Sequence, residues 1–240
     1  MIGKMFLPWV GGSAAAWNSC MFFFQALLMG GYCYTHFSVA KLGVKKQTFL
    51  QFPLMLIALV FLPVSFSYSA SIPQDPSFWL IKQLFITIGL PFFVLSGISP
   101  LLQIWFAQTI HKRAENPFFL FAASNTGSLL ALVIYPTLIE PAFDLSQQAK
   151  IWSWGYGLLL ILMAACAWFI KTSAKADIIS EAPDEEAAAP PSRSRIAYWV
   201  VAAFIPSSLM LAVTQYLTTD LVPMPLFWVI PLIIYLITFI

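Results

Sequence analysis

The sequence predicts an all-α, polytopic transmembrane helix bundle of about seven spans, and three observations carry that expectation. Long apolar stretches recur at roughly 17–37, 49–68, 78–106, 117–139, 151–170, 197–219 and 225–240. A bilayer core of about 30 Å takes about 20 helical residues to cross, and all but the last stretch are near or above that length. Composition is the second: of 240 residues 60% are hydrophobic and 9% charged, with a mean hydropathy of +0.83. Soluble domains carry about a quarter charged residues, so this chain has too little polar surface to cover a globule in water. The third is charge placement, because nearly every Lys and Arg falls in alternate gaps between the stretches.

The first stretch carries Asn18, Met21, Gln25, Met29, Tyr32 and His36, spaced by three or four. At about 100° per residue these positions form a stripe about 60° wide on one helix face. A polar stripe is costly against lipid, so it faces either a wet cavity or other helices through interhelical hydrogen bonds, with His36 near the headgroups. After the second stretch, the third is about 29 residues long and holds Gly89, Pro91, Gly97 and Pro100, with Gln103 beyond. Each proline removes a backbone donor, so the helix is expected to break and free carbonyls for a ligand or for a neighbouring side chain; a plain kink is the simpler alternative. Lys82 near its outer end is expected to snorkel.

The fourth stretch opens with Ser124, Asn125, Thr126, Gly127 and Ser128. Ala123 with Gly127, and Ser124 with Ser128, are small residues four apart, the spacing that lets another helix backbone approach closely. Asn125, Ser128 and Tyr135 share a face that is the best candidate for a cavity wall. On the sixth stretch Ser207, Thr214 and Thr218 share one face, with Ser208, Gln215 and Thr219 on the next, which argues against a peripheral position. The candidate cavity is therefore lined by the first, fourth and sixth spans.

Nine of the twelve basic residues, Lys41, Lys45, Lys46, Lys112, Arg113, Lys171, Lys175, Arg193 and Arg195, lie in the gaps after the first, third and fifth spans. By the positive-inside bias those gaps are cytoplasmic, which places the N-terminus and Lys4 outside. Residues 171–196 form the one long polar tract, with Asp184, Glu185, Glu186, three alanines and Pro190–Pro191, and are expected to be a flexible cytoplasmic linker. The expected organisation is a first bundle of five spans over 1–170, the linker, and the start of a second bundle of two spans over 197–240. MIGKMFLPWVGG reads as a segment that follows an earlier helix, and the last apolar run reaches Ile240 without a flanking charge, so the sequence looks open at both ends.

Several classes of function find no support in these residues. No basic cluster interleaved with aromatics suggests nucleic acid. Cys20, Cys33 and Cys166 all lie in apolar stretches without a CxxC pair, and His36 and His111 have no partner at metal spacing. There is no glycine-rich phosphate loop, no Ser/His/Asp set and no pair of intramembrane carboxylates, so no catalytic residue, metal or cofactor is expected. Glu140 and Asp220 are the acids near span ends, fit either to hold a cation or to serve as ordinary helix-end residues.

Four blocks carry a resemblance: MIGKMFLPWVGGSAAAWNSCMFFFQALLMGGYCYTHF, PLLQIWFAQ from Pro100, NPFFLFAASNTGSLLALVIYPTLIEP from Asn116 and IPSSLMLAVTQYLTTDLVPMPLFWVIPLIIYLITF from Ile205. In order they resemble the membrane region of bacterial fused major-facilitator and spermidine-synthase-like proteins. The resemblance implies a partial major-facilitator bundle in the bacterial inner membrane, with a soluble aminopropyltransferase-like domain fused to it or supplied as a partner. It also implies one further helix before MIGKM, which would return the N-terminus to the cytoplasm. Synthase chemistry would lie outside these residues. The expected partners are the lipid bilayer and a small solute, and the expected activity is carrier-like, with a membrane anchor for such an enzyme, or an inactive remnant, as the alternatives.

Overall fold

The computed structural model describes residues 1–11, 14–66, 76–109, 111–114, 116–173, 191–216 and 229–238, and these are helical with short connections. Four helical stretches among them are long and apolar enough to cross a membrane: Pro76–Ala107, Phe119–Ala142, Leu145–Phe169 and Arg193–Val213. They correspond to the third to sixth apolar stretches of the sequence. The chain divides into two compact units, the first formed by Met1–Pro117 and Ala142–Ala174, the second by Phe118–Pro141 and Lys175–Ile240. The fourth stretch thus groups with residues beyond the polar tract and not with the spans that precede it in sequence.

In the first unit, α1 (Ile2–Val10) ends at Gly11, whose φ of 66° suits glycine. α2 (Ala14–Leu59) contains the first apolar stretch and the second as far as Leu59. Its backbone leaves helical geometry at Gly43, with φ 70° and ψ 165°. A straight helix would hold residues 34 and 51 about 25 Å apart at 1.5 Å per residue. Instead Tyr34 Oη donates to Gln51 Oε1 across 3.3 Å, so the two halves fold back on each other about Gly43 as a helical hairpin.

The third apolar stretch is built from α3 (Pro76–Leu84), a π-helical turn (Phe85–Gly89), α4 (Leu90–Ser96) and α5 (Ile98–Ala107). Pro91 supplies no N–H to the carbonyl four residues back, and the wider π turn lies directly before it. α8 (Leu145–Ser173) starts on a reciprocal cap: Gln147 N donates to Asp144 Oδ1 (2.8 Å) and Asp144 N to Gln147 Oε1 (3.0 Å).

Two apolar clusters run along this unit and fix the directions of its helices. One gathers Phe6, Cys20, Phe23, Val64, Trp79, Leu80 and Leu84, with Trp152 against it. The other gathers Met55, Val94, Ile98, Leu101, Trp105 and Met163, with Val39, Val44 and Cys166 against it. The first half of α2, the α3–α5 stretch and α8 all pass from the first cluster to the second, while the second half of α2 returns. This is the alternation that the charge pattern required of the first, second, third and fifth stretches.

The second unit contains α6 (Phe119–Ile134), a second π turn (Tyr135–Ile139) that includes Pro136, α7 (Glu140–Ala142), α9 (Arg193–Tyr216) and α10 (Val229–Ile237). α10 packs against both α6 and α9. Ser192 caps α9 by accepting from Arg195 N at 3.3 Å, and the Arg195 guanidinium lies 5.4 Å from the Trp199 ring centre. Helix therefore enters the polar tract from both sides, through Ser173 and from Arg193, so the expected flexible linker 171–196 begins too early and ends too late. Residues 174–190 lie outside the described ones.

Candidate functional site

α2 presents two opposed faces. Cys20, Phe23, Gly31 and Thr35 are buried in the first unit, whereas Asn18, Gln25, Tyr32 and His36 are exposed on its surface, with Tyr32 at 45%. By helical geometry the polar residues lie about 140° from the centre of the buried face. The stripe inferred from spacing is therefore one continuous outward face of the first unit. It brings together amide, phenol and imidazole groups, a set that donates and accepts hydrogen bonds and includes no carboxylate.

The broken third stretch is used differently. Gly97 and Gly31 sit at a crossing where the two backbones nearly touch. A Cβ on Gly97 would lie 2.7 Å from Thr35 Oγ1 and 3.1 Å from Gly31 O, and one on Gly31 would collide with Ser96 Oγ and lie 2.9 Å from Gly97 N. Thr35 Oγ1 donates to Gly97 O at 3.0 Å. The Ser96 hydroxyl has Phe93 O at 2.7 Å and Leu27 O at 3.2 Å as acceptors. Gly97 O also accepts from Leu101 N at 3.2 Å, so the carbonyl that Thr35 takes is not one of the two, at Thr87 and Ser96, that Pro91 and Pro100 leave without their helical donor. Gly89 and Pro91 are buried and Pro100 is half-buried. Gln103 is half-buried as well, and its Nε2 reaches Ser99 Oγ on its own helix at 3.4 Å, away from the α2 stripe.

Sequence reasoning missed a buried polar cluster inside the hairpin. Gln47 and Gln51 are 0% and 1% exposed, Gln47 Nε2 donates to Gln51 Oε1 at 3.3 Å, and Tyr34 shares that acceptor. Gln47 Oε1 and Gln51 Nε2 have no hydrogen-bond partner among the described residues. Tyr156 Oη, also buried, donates to Met55 O at 3.3 Å and ties α8 to the returning half of α2. The available signal was the pair of glutamines four apart at the start of the second apolar stretch, together with Tyr34 ahead of the Lys-rich gap. In a medium without water, such bonds fix the register of two helices that apolar contact alone leaves free to slide.

In the second unit Asn125 and Tyr135 are half-buried, and Ser128 and Ser207 are exposed. Ser128 Oγ donates to Ser124 O (3.1 Å) and Ser207 Oγ to Ala203 O (2.8 Å), so both hydroxyls are satisfied within their own helices. Among the described residues of its unit nothing approaches Gly127 closely, since a Cβ there would meet nothing within 4 Å. Among the described residues the close small-residue contact is the Gly31–Gly97 crossing of the first unit. Thr214 and Gln215 lie on α9 with side chains outside the described ones, and Thr218 lies outside the described residues altogether. Among the described residues no three His, Cys, Asp or Glu side chains converge to hold a metal ion.

No protein-family model, curated protein or solved structure matches the chain.

Proposed function

We propose that this protein is a multi-pass membrane bundle of carrier type, in which a small solute moves along the polar face of α2. The observation that carries the reading is the opposition on that helix: Asn18, Gln25, Tyr32 and His36 point out of the first unit while its other face is packed. Four membrane-length apolar helices supply the setting, and the hairpin of α2 supplies two further crossings in our reading. The nine-to-three bias of basic residues argues for the Lys41–Lys46 end in the cytoplasm.

In such a setting the amides and phenol of α2 cannot be left to lipid. They meet either a wet path or a second helical layer, and an intramembrane row of hydrogen-bonding groups is the usual lining of a solute path. Seven crossings, a major-facilitator-like arrangement and the bacterial inner membrane belong to this proposal.

The test uses sealed vesicles that contain the purified protein and are loaded with a small-molecule cell extract, with efflux followed by mass spectrometry. Wild type should release one solute class faster than empty vesicles, and Asn18→Leu with Gln25→Leu should abolish that release at equal protein content. Identical release profiles for wild type, variant and empty vesicles would overturn the carrier reading.

A further inference from the structure

The directions of the helices collect positive charge at one end of the first unit. Lys41, Lys45 and Lys46 flank the Gly43 reversal, and all three are exposed. α5 ends at Ala107 on the same end as this reversal, so Lys112 and Arg113, both exposed, follow there. α8 also finishes there, carrying position 171. Asp144 is the one carboxylate among the described residues of this unit, and it opens α8 at the opposite end.

Directly beside the lysines, Phe37 and Phe49 expose 57% and 80% of their surface on the two arms of the hairpin. Behind them the Tyr34–Gln51–Gln47 hydrogen bonds hold the arms together, which keeps the lysines clustered against their mutual repulsion. A cluster of cations beneath exposed aromatic side chains is complementary to one kind of molecule, an anion with acyl chains attached.

We propose that the Lys41–Lys46 hairpin end, with Lys112 and Arg113, is a docking site for anionic phospholipid headgroups. The site rests on the membrane reading given above and adds to it a lipid preference. Phosphate oxygens accept from the three ammonium groups, and the aromatic side chains pack against the acyl chains.

The experiment reconstitutes the full chain in nanodiscs of phosphatidylcholine alone and of phosphatidylcholine mixed with phosphatidylglycerol. Native mass spectrometry then reads which lipid the protein retains. A lysine near an anionic surface is worth about fivefold in binding, so retained phosphatidylglycerol should be enriched over its bulk ratio by about tenfold or more. The triple variant Lys41→Gln, Lys45→Gln, Lys46→Gln should return the ratio close to bulk, and the triple Arg variant should keep the enrichment. A bulk ratio in stably inserted wild type, or full enrichment in the Gln triple variant, would overturn the site while leaving the membrane reading intact. Failure to insert even into phosphatidylcholine would overturn the membrane reading, and this site with it.

Discussion

Neither Gly31 nor Gly97 leaves room for a methyl group against the backbone that crosses it. Gly97→Ala should cost about 1–3 kcal/mol of unfolding free energy, the usual penalty for forcing extra volume into a packed site. Gly127→Ala has open space and a helical backbone, so it should be neutral or stabilising by up to about 1 kcal/mol. Thermal unfolding of the two variants in one detergent decides between them, and equal losses would contradict the assignment of the crossing. Gln51→Leu strips both Tyr34 and Gln47 of their shared acceptor inside the bundle and should cost about 1–3 kcal/mol. Tyr34→Phe, which removes a single long hydrogen bond, should cost less. The polar stripe of α2 was legible because spacing alone defines a helix face. The glycine crossing and the buried glutamines were not, since a contact between helices 62 residues apart in sequence leaves no trace in local periodicity.

At the level of elements, the apolar stretches at 17–37 and 49–68 separated by three lysines foretold two helices, and the fold joins them in one hairpin about Gly43. With native cysteines replaced, Tyr34→Cys paired with Gln51→Cys should cross-link through a short bis-maleimide. A continuous helix would hold the two about 25 Å apart and give no product. The break in the third stretch was also foretold by Pro91 and Gly97, although its form, a π turn before Pro91, depends on how the wider turn accommodates the missing donor. The start of α8 illustrates what local chemistry decides and hydropathy misses. Asp144 and Gln147 cap the helix six residues before the apolar run at 151 begins. Asp144→Ala should lower stability by about 1 kcal/mol, read from the unfolding midpoint. The same blindness of hydropathy to capping explains why α9 starts at Arg193, inside the tract expected to be linker.

For the molecule as a whole, charge was the most legible property of the sequence. Basic residues in alternate gaps demanded that the first, third and fifth stretches run one way and the second the other, and the two apolar clusters of the first unit arrange them so. The grouping of 118–141 with the residues after 174 was not legible, because nothing in a run of apolar residues says which other run it packs against. The central claim is that α2 divides a packed face from a wet one within the membrane. In a variant with Cys20, Cys33 and Cys166 replaced, single cysteines at positions 18, 25, 32 and 36 would be treated in sealed membranes with a small membrane-impermeant maleimide. Exposed apolar positions 85 and 168 and the buried position 23 serve as references. Labelling is expected at the four polar positions and none at the three references. Labelling at 85 and 168 equal to that at 18 and 25, or no labelling anywhere on α2, would contradict that claim.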